Sequence, residues 1–327
     1  MTDFYSLVKD TEAYKVVKRD KERKTLSHAY LIVIPDEENL KEYLKVFVKL
    51  ILCENDEPCG KCRNCSLIEK EGHADVLFFP EKEGAVLTSD VNKIIEESYF
   101  KPIEGERKVF VISAGQTMNA SSQNKLLKTL EEPPKNVHII LGSTSEFPLL
   151  QTVKSRMKRL EIASFPAEKI FSALKGECED EERLRKAVAC GDGTISKAKK
   201  LYGSENLTKI SSLVLDLLEN MKSSRDVLKF STKISNQKLD FSEFLAVLEL
   251  YFRDLAVYLS GKSNLVLNKE ILSSSLIAGG YTLSSCVYAL TRIEEARERK
   301  KFNANATMLL EWLLFQILEG KYKWQKC

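Results

Sequence analysis

No stretch of the 327 residues is apolar for long enough to cross a bilayer. The longest runs, Val46–Leu52 and Met308–Leu314, are short and interrupted, and Met1–Asp20 is polar and charged. Neither sign of charge dominates. Fifty Lys+Arg against 47 Asp+Glu leave a net charge of +3, which removes the strongly basic balance that would make nucleic acid the default partner. Contact with DNA would have to come from a local patch. Internal repeats and low-complexity tracts are missing as well, and a chain with 43% hydrophobic and 30% charged residues is not disordered. Its length suits two or three domains with real cores. These absences predict a soluble, cytoplasmic protein with no membrane contact.

What is present begins with cysteine. Cys53, Cys59, Cys62 and Cys65 fall within a short span, whereas Cys178, Cys190, Cys286 and Cys327 lie far apart. Cys59-Gly60-Lys61-Cys62 and Cys62-Arg63-Asn64-Cys65 share a cysteine, so three sulfurs sit on one tight turn and Cys53 supplies the fourth. Four thiolates at this spacing suit a closed tetrahedral structural zinc site with no position for substrate. The alternatives are a disulfide pair, which needs an oxidising compartment that no signal peptide indicates, and a redox or iron–sulfur role. Cys178, Cys190 and Cys286 read as small apolar fillers.

The first 160 or so residues alternate β-branched runs with helical patterns, the mark of a parallel sheet covered by helices. Strands are predicted at Ala29–Ile34, Val76–Phe79, Lys108–Ile112 and Val137–Leu141. Helices are predicted at Glu38–Leu52, at Val91–Tyr99 behind a Ser89-Asp90 cap, and at Asn119–Glu132, which Pro133-Pro134 must end. After Phe165-Pro166 the strands disappear. Short helical patterns run to Leu201. Longer amphipathic ones follow, among them Ile210–Met221, Phe241–Leu259, Leu283–Lys301 and Ala304–Glu319. Boundaries are expected near 165 and 205.

An α/β domain followed by helices is common among nucleotide-driven machines, and those need a phosphate loop of Gly-x-x-x-x-Gly-Lys-Ser/Thr after the first strand. Here Pro35-Asp36-Glu37-Glu38-Asn39-Leu40-Lys41 follows instead, with three acids and no glycine to meet a triphosphate. The Gly-Lys pairs at Gly60, Gly261 and Gly320 all lack the earlier glycine. The third strand should end in carboxylates for magnesium but runs into Ser113-Ala114-Gly115-Gln116. Both halves of a nucleotide site are missing together.

Several segments resemble one family. They are Leu26-Ser27-His28-Ala29-Tyr30-Leu31, the cysteine cluster, His73-Ala74-Asp75, and above all Met118-Asn119-Ala120-Ser121-Ser122-Gln123-Asn124-Lys125-Leu126-Leu127-Lys128-Thr129-Leu130-Glu131-Glu132-Pro133-Pro134. Together they are similar to the delta-prime subunits of the bacterial DNA polymerase III clamp loader. Phe302–Leu314 is similar to the last helix of that family's oligomerising collar, although Met308, Leu309, Trp312, Leu313 and Phe315 would also serve as ordinary core residues.

The resemblance implies an α/β domain of AAA+ type with its zinc module over residues 1–165, a small helical lid over 166–205 and a helical collar over 206–327. It implies a subunit without its own catalytic activity or productive ATP binding, within a DNA-directed DNA polymerase holoenzyme. Its partners would be the gamma/tau and delta subunits and, through the complex, the sliding clamp and primer-template DNA. The family's Ser-Arg-Cys motif stands here as Ser155-Arg156-Met157, which makes Arg156 the expected arginine finger toward a neighbour's ATP. Against this stands the reading that Lys154, Arg156, Lys158 and Arg159 form a solvated basic face. His28 and His73 are expected to be structural rather than metal ligands. Two other functions remain open: an ATP-hydrolysing gamma/tau type subunit, and a zinc-dependent DNA-binding protein, for which Lys61 and Arg63 are few cations.

Overall fold

The computed structural model describes residues 2–324 other than 83, 238, 274, 275, 277–279 and 303. Cys327 and Asn303 lie outside the described residues. The chain divides into two compact units, Met1–Glu179 with Thr194–Ser196, and Asp180–Gly193 with Lys197–Cys327.

The first unit opens with α1 (Phe4–Val8) and α2 (Glu12–Glu22), in a stretch where the sequence showed only polarity. Thr11 caps α2 by accepting from the Tyr14 amide, and Ala13, Tyr14 and Val17, at i, i+1 and i+4 on one helix face, are buried. Then come β1 (Ala29–Val33), α3 (Leu40–Leu52), α4 (Arg63–Glu69), β2 (Val76–Phe79), α5 (Thr88–Ser98), β3 (Lys108–Ile112), α6 (Ala120–Glu131), β4 (Val137–Ser143), α7 (Gln151–Lys154), β5 (Lys158–Glu161) and α8 (Ala167–Leu174). The five strands are parallel in the order β2-β3-β4-β1-β5. Every residue of β1, β3 and β4 is buried, as expected of a sheet covered on both faces.

Alternation along the strands sorts the two faces. Leu31, Phe110, Ile112, Ile139 and Leu141 join one core with Val91 and Ile94 of α5 and Leu126 and Leu130 of α6. On the other face β4 comes so close to α3 that a Cβ on Gly142 would lie 2.5 Å from Leu44 Cδ1. Glycine is what lets this helix seat directly on the sheet.

The predicted elements differ from the observed ones at informative places. Helix α5 starts one turn early, at Thr88, so Asp90 does not precede the helix but reaches back from its first turn to accept the Leu87 amide at 2.8 Å. Asn119 sits outside α6 as its cap, accepting from the Ser122 amide. Strand β5 begins at the end of the Lys154–Arg159 stretch that read as a basic surface. It is an edge strand with only Leu160 buried, and its charged residues suit an edge that must not pair further.

The second unit is helical: α9 (Glu181–Ala189), α10 (Ile195–Gly203, whose first two residues belong to the first unit), α11 (Leu207–Asn220), α12 (Ser224–Asn236), α13 (Phe241–Leu259), α14 (Glu270–Ser273), α15 (Leu283–Lys301) and α16 (Ala306–Lys323). Its core gathers Leu217, Phe244, Leu248, Phe252, Ile293, Leu313 and Leu314. Of the apolar residues near the C-terminus, Leu309 and Leu313 are buried and Trp312 packs against the core, while Met308 and Phe315 face outward. Cys190 and Cys286 are core fillers whose thiols burial pushes up to about 12. Cys178 is half-buried. No helix of the described residues is long and apolar enough to cross a membrane.

Candidate functional site

The cysteine cluster is built on the end of α3. Cys53 terminates that helix in an extended conformation, and the chain returns through Gly60, whose φ of 68° is one that side chains rarely adopt. Cys62 is the N-cap of α4, and its sulfur accepts from the Cys65 amide at 3.4 Å, while Cys59 Sγ accepts from the Cys62 amide at 3.3 Å. The four Sγ atoms lie within 4.8 Å of one another, and those of Cys53 and Cys62 are 3.9 Å apart. Metal–sulfur bonds of about 2.3 Å give a tetrahedron with edges of about 3.8 Å, so the four donors fit one metal ion.

The electrostatics divide the set. Amides of Lys61 and Cys62 directed at Cys59 pull its thiol down to about 6, whereas burial pushes Cys65 up to about 12. A buried thiolate at Cys65 needs a cation beside it, which a divalent metal would supply.

A second layer, not found by sequence reasoning, fixes the loop. Asn64 donates to the Leu52 carbonyl at 2.9 Å and its Oδ1 is 3.3 Å from His73 Nε2, while His73 Nδ1 accepts from the Asp75 amide at 3.1 Å. That acceptor role leaves the imidazole proton on Nε2, facing Asn64. His73 therefore braces the cluster through Asn64 rather than completing it. Lys21 of α2 clamps the same loop by donating to the carbonyls of Cys53 and Asn55 at 2.9 and 2.7 Å. Fully buried Asp75 accepts from the amides of Ile103, Glu104 and Gly105 at 2.6, 2.8 and 3.0 Å, tying the loop before β3 to the start of β2. The only sequence signal for these roles was the compact His73-Ala74-Asp75 triplet.

The second region is the carboxyl end of the sheet, where α/β proteins bind nucleotides. Asp36, in the loop between β1 and α3, is 1% exposed. One of its oxygens accepts from Asn39 Nδ2 at 3.1 Å. The other accepts from the Tyr43 hydroxyl at 3.0 Å and from the amides of Ile195 and Ser196 at 3.0 and 3.3 Å. A carboxylate of the protein thus holds amides at the start of α10, donors of the kind a bound phosphate uses. Burial and the Asp36 charge push the Tyr43 phenol far above its ordinary value, so it stays a donor. Beyond β3, Gln116 donates to Glu37 at 3.1 Å and accepts from the Thr144 amide at 3.3 Å, joining the loops that follow β1, β3 and β4. Where magnesium-binding carboxylates would stand, an amide side chain links neighbouring loops.

Arg156 follows α7 and is about one-third exposed. Its guanidinium donates to the Thr152 carbonyl at 2.8 Å and pairs with Glu131 at 2.5 Å. The neighbouring cations are also matched, Lys158 by Asp20 at 2.7 Å and Arg159 by Glu146 and Glu161. Met157 joins the core beneath the sheet, which gives the cysteine-to-methionine change in the motif a packing role.

The strand order and the thiol knuckle define an α/β domain of AAA+ type. Residues 9–166 match the family model described as DNA polymerase III, delta subunit. The chain is 26% identical over 322 residues to DNA polymerase III subunit delta' of Bacillus subtilis, covering 94% of this chain and 95% of that protein. With the tau subunit of the same organism the identity is 25% over 263 residues, covering 72% of this chain and 46% of tau. A gamma subunit-related protein of Thermotoga maritima superimposes with a TM-score of 0.44 at 20% identity, covering 94% of this chain and 99% of that one. The chain is similar to DNA polymerase III clamp-loader subunits, and its resemblance to a delta-prime subunit runs over nearly the full length of both proteins.

Proposed function

We propose that this chain is the delta-prime subunit of a clamp loader, a stator that binds no productive ATP and supports neighbours that do. The carrying observation is the internal occupation of the nucleotide crevice. Asp36 holds the amides of Ile195 and Ser196, and a triphosphate arriving there would meet Asp36 and Glu37 rather than glycine amides and a lysine. In this reading residues 1–165 form the AAA+ type domain, 166–205 the lid and 206–327 the collar. Cys53, Cys59, Cys62 and Cys65 hold a structural zinc ion that keeps the knuckle rigid. The partners are gamma/tau and delta subunits, with the sliding clamp and primed DNA reached through the complex in the cytoplasm.

Arg156 acts in trans. A guanidinium carries a permanent charge and a planar fork of donors, which stabilise the charge that builds on a phosphoryl group during transfer. Glu131 would hold it near the subunit surface until a neighbour's phosphates, carrying more charge than one carboxylate, take its place. The tau and gamma relatives favour a second reading, an ATP-hydrolysing subunit.

The deciding experiment measures nucleotide affinity and turnover of the purified chain, then of a complex reconstituted with gamma/tau and delta subunits. Absence of turnover alone, together with DNA-stimulated turnover in the complex that drops on Arg156→Ala, is the expected result. Clear hydrolysis by the isolated chain would transfer the assignment to the gamma/tau type.

A further inference from the structure

At the amino end of the sheet, opposite the crevice, a recess of about 270 Å³ opens where β1, β3 and β4 begin. Its polar lining is Lys24, His28, Arg107, Asn136 and His138, and the Pro133-Pro134 pair forms a wall. No carboxylate lines it. Elsewhere in the first unit Lys158, Arg156 and Arg159 each meet an acid. Among the described residues neither Lys24 nor Arg107 has an ion-pair partner, although Arg107 is half-buried.

The two imidazoles are also incompletely served. His28 Nε2 is buried with no hydrogen-bond partner. His138 is 7% exposed, and its Nδ1 lies 2.8 Å from the Ser27 carbonyl, so that nitrogen carries a proton and Nε2 is the free position of the neutral ring. Burial pushes the His138 pKa down, and the nearby Arg107 and His28 add to the shift. The charged N–H donors of Arg107 and Lys24 and two imidazole nitrogens therefore converge on a small concave space whose walls offer no compensating anion.

We infer that this recess is a binding site for a phosphate group, held by Arg107 and Lys24 with the imidazoles of His28 and His138. The Arg107 fork suits two oxygens of a tetrahedral oxyanion, and Lys24 supplies a second charge from the rim. The bound anion would give the buried His28 Nε2 an acceptor when that atom is protonated and would relieve the repulsion around His138. The recess, about 270 Å³, is large enough for a phosphate group and too small for a duplex. The ligand is therefore inorganic phosphate or the terminal phosphate of a single nucleic-acid strand.

The chain has three histidines, His28, His73 and His138, so its imidazole NMR signals make a compact assay with His73, bonded to Asn64, as an internal reference. Inorganic phosphate is titrated into the full chain at constant ionic strength, as are a 5′-phosphorylated oligonucleotide and its unphosphorylated form. Saturable movement of the His28 and His138 signals, with His73 still, is expected. Arg107→Ala should weaken that response by about tenfold or more with no change in thermal unfolding, since Arg107 supports no other side chain. A response to inorganic phosphate alone identifies a free anion, and one that requires the 5′-phosphate identifies a strand end. No movement, equal drift of all three signals, or a response unchanged in Arg107→Ala would overturn the site.

Discussion

The guanidinium of Arg156 and the carboxylate of Glu131 meet at 2.5 Å, joining two motifs that stand 25 positions apart in the chain. Glu131 ends α6 beside Pro133-Pro134, and Arg156 follows α7 before the edge strand. Helix α6 thus presents the acid that holds the Arg156 guanidinium, which gives the long Met118–Pro134 segment a role beyond packing. With both side chains substantially exposed, the pair contributes about 0 to 1 kcal/mol to stability, and its value lies in placement.

The first prediction concerns this pair. Arg156→Ala should leave the unfolding free energy within about 1 kcal/mol of the parent. In the reconstituted complex the ATP site that it faces should slow by about a thousandfold, while the other sites keep their rate. Single-turnover kinetics resolve the two populations, and unchanged kinetics would remove the finger assignment. Glu131→Gln separates positioning from charge. It should retain assembly and alter the rate by less than Arg156→Ala does.

Metal removal should act locally. The purified protein is expected to carry one zinc ion per chain by elemental analysis, and Cys62→Ser should lose it. Chelation should abolish amide protection in the segment from Cys53 to Cys65 and in α4, while β1, β3 and β4 keep theirs. Hydrogen exchange followed by mass spectrometry gives the answer peptide by peptide. Global loss of protection would mean that the knuckle supports the sheet itself.

Asp75 carries more of the fold than its place beside the cysteines suggests. Asp75→Ala would strand three loop amides that now share one carboxylate, and a loss of about 3 kcal/mol is expected by denaturant titration. Asp75→Asn keeps an acceptor oxygen and should lose less. Equal stability of the parent and Asp75→Ala would show that water replaces the carboxylate without penalty.

The carboxylate in the crevice offers a parallel test. Removing Asp36 deprives the buried Tyr43 hydroxyl and the Ile195 and Ser196 amides of their acceptor, so Asp36→Ala should cost about 2 to 4 kcal/mol. It should not restore ATP hydrolysis, because the glycines and lysine of a phosphate loop are still missing. Hydrolysis appearing in Asp36→Ala would mean that one side chain alone closes a competent site.

His138 sets a dependence on pH. Burial, then Arg107 and His28, lower its pKa in the folded protein below the unfolded value of about 6.5. The unfolded state therefore binds the proton more readily as pH falls through that value, and stability is lost toward acid by up to about 1.4 kcal/mol per pH unit from this group. Stability curves from pH 7 to pH 5 should flatten in His138→Gln relative to the parent. Identical slopes would refute the assignment.

The local sequence alone settled the features that depend on local chemistry. Cysteine spacing put three sulfurs on one turn because a cysteine shared between two close pairs can do little else, and the lack of glycine after β1 removed a phosphate loop whatever the surroundings. Runs of β-branched residues marked the three inner strands, β1, β3 and β4, because burial on both faces leaves no polar alternation to obscure them. The edge strand β5 escaped notice for the converse reason: with one buried residue it carries almost no hydrophobic signal, and only its pairing with β1 makes it a strand. Helices α1 and α2 were hidden in a polar stretch because a narrow apolar stripe suffices to seat them. Tertiary structure alone decided the partners of the charges, Glu131 for Arg156, the amides of Ile195 and Ser196 for Asp36 and Asn64 for His73. Those bonds act through space between separate elements of the chain, and nothing in local composition records which polar group will find which.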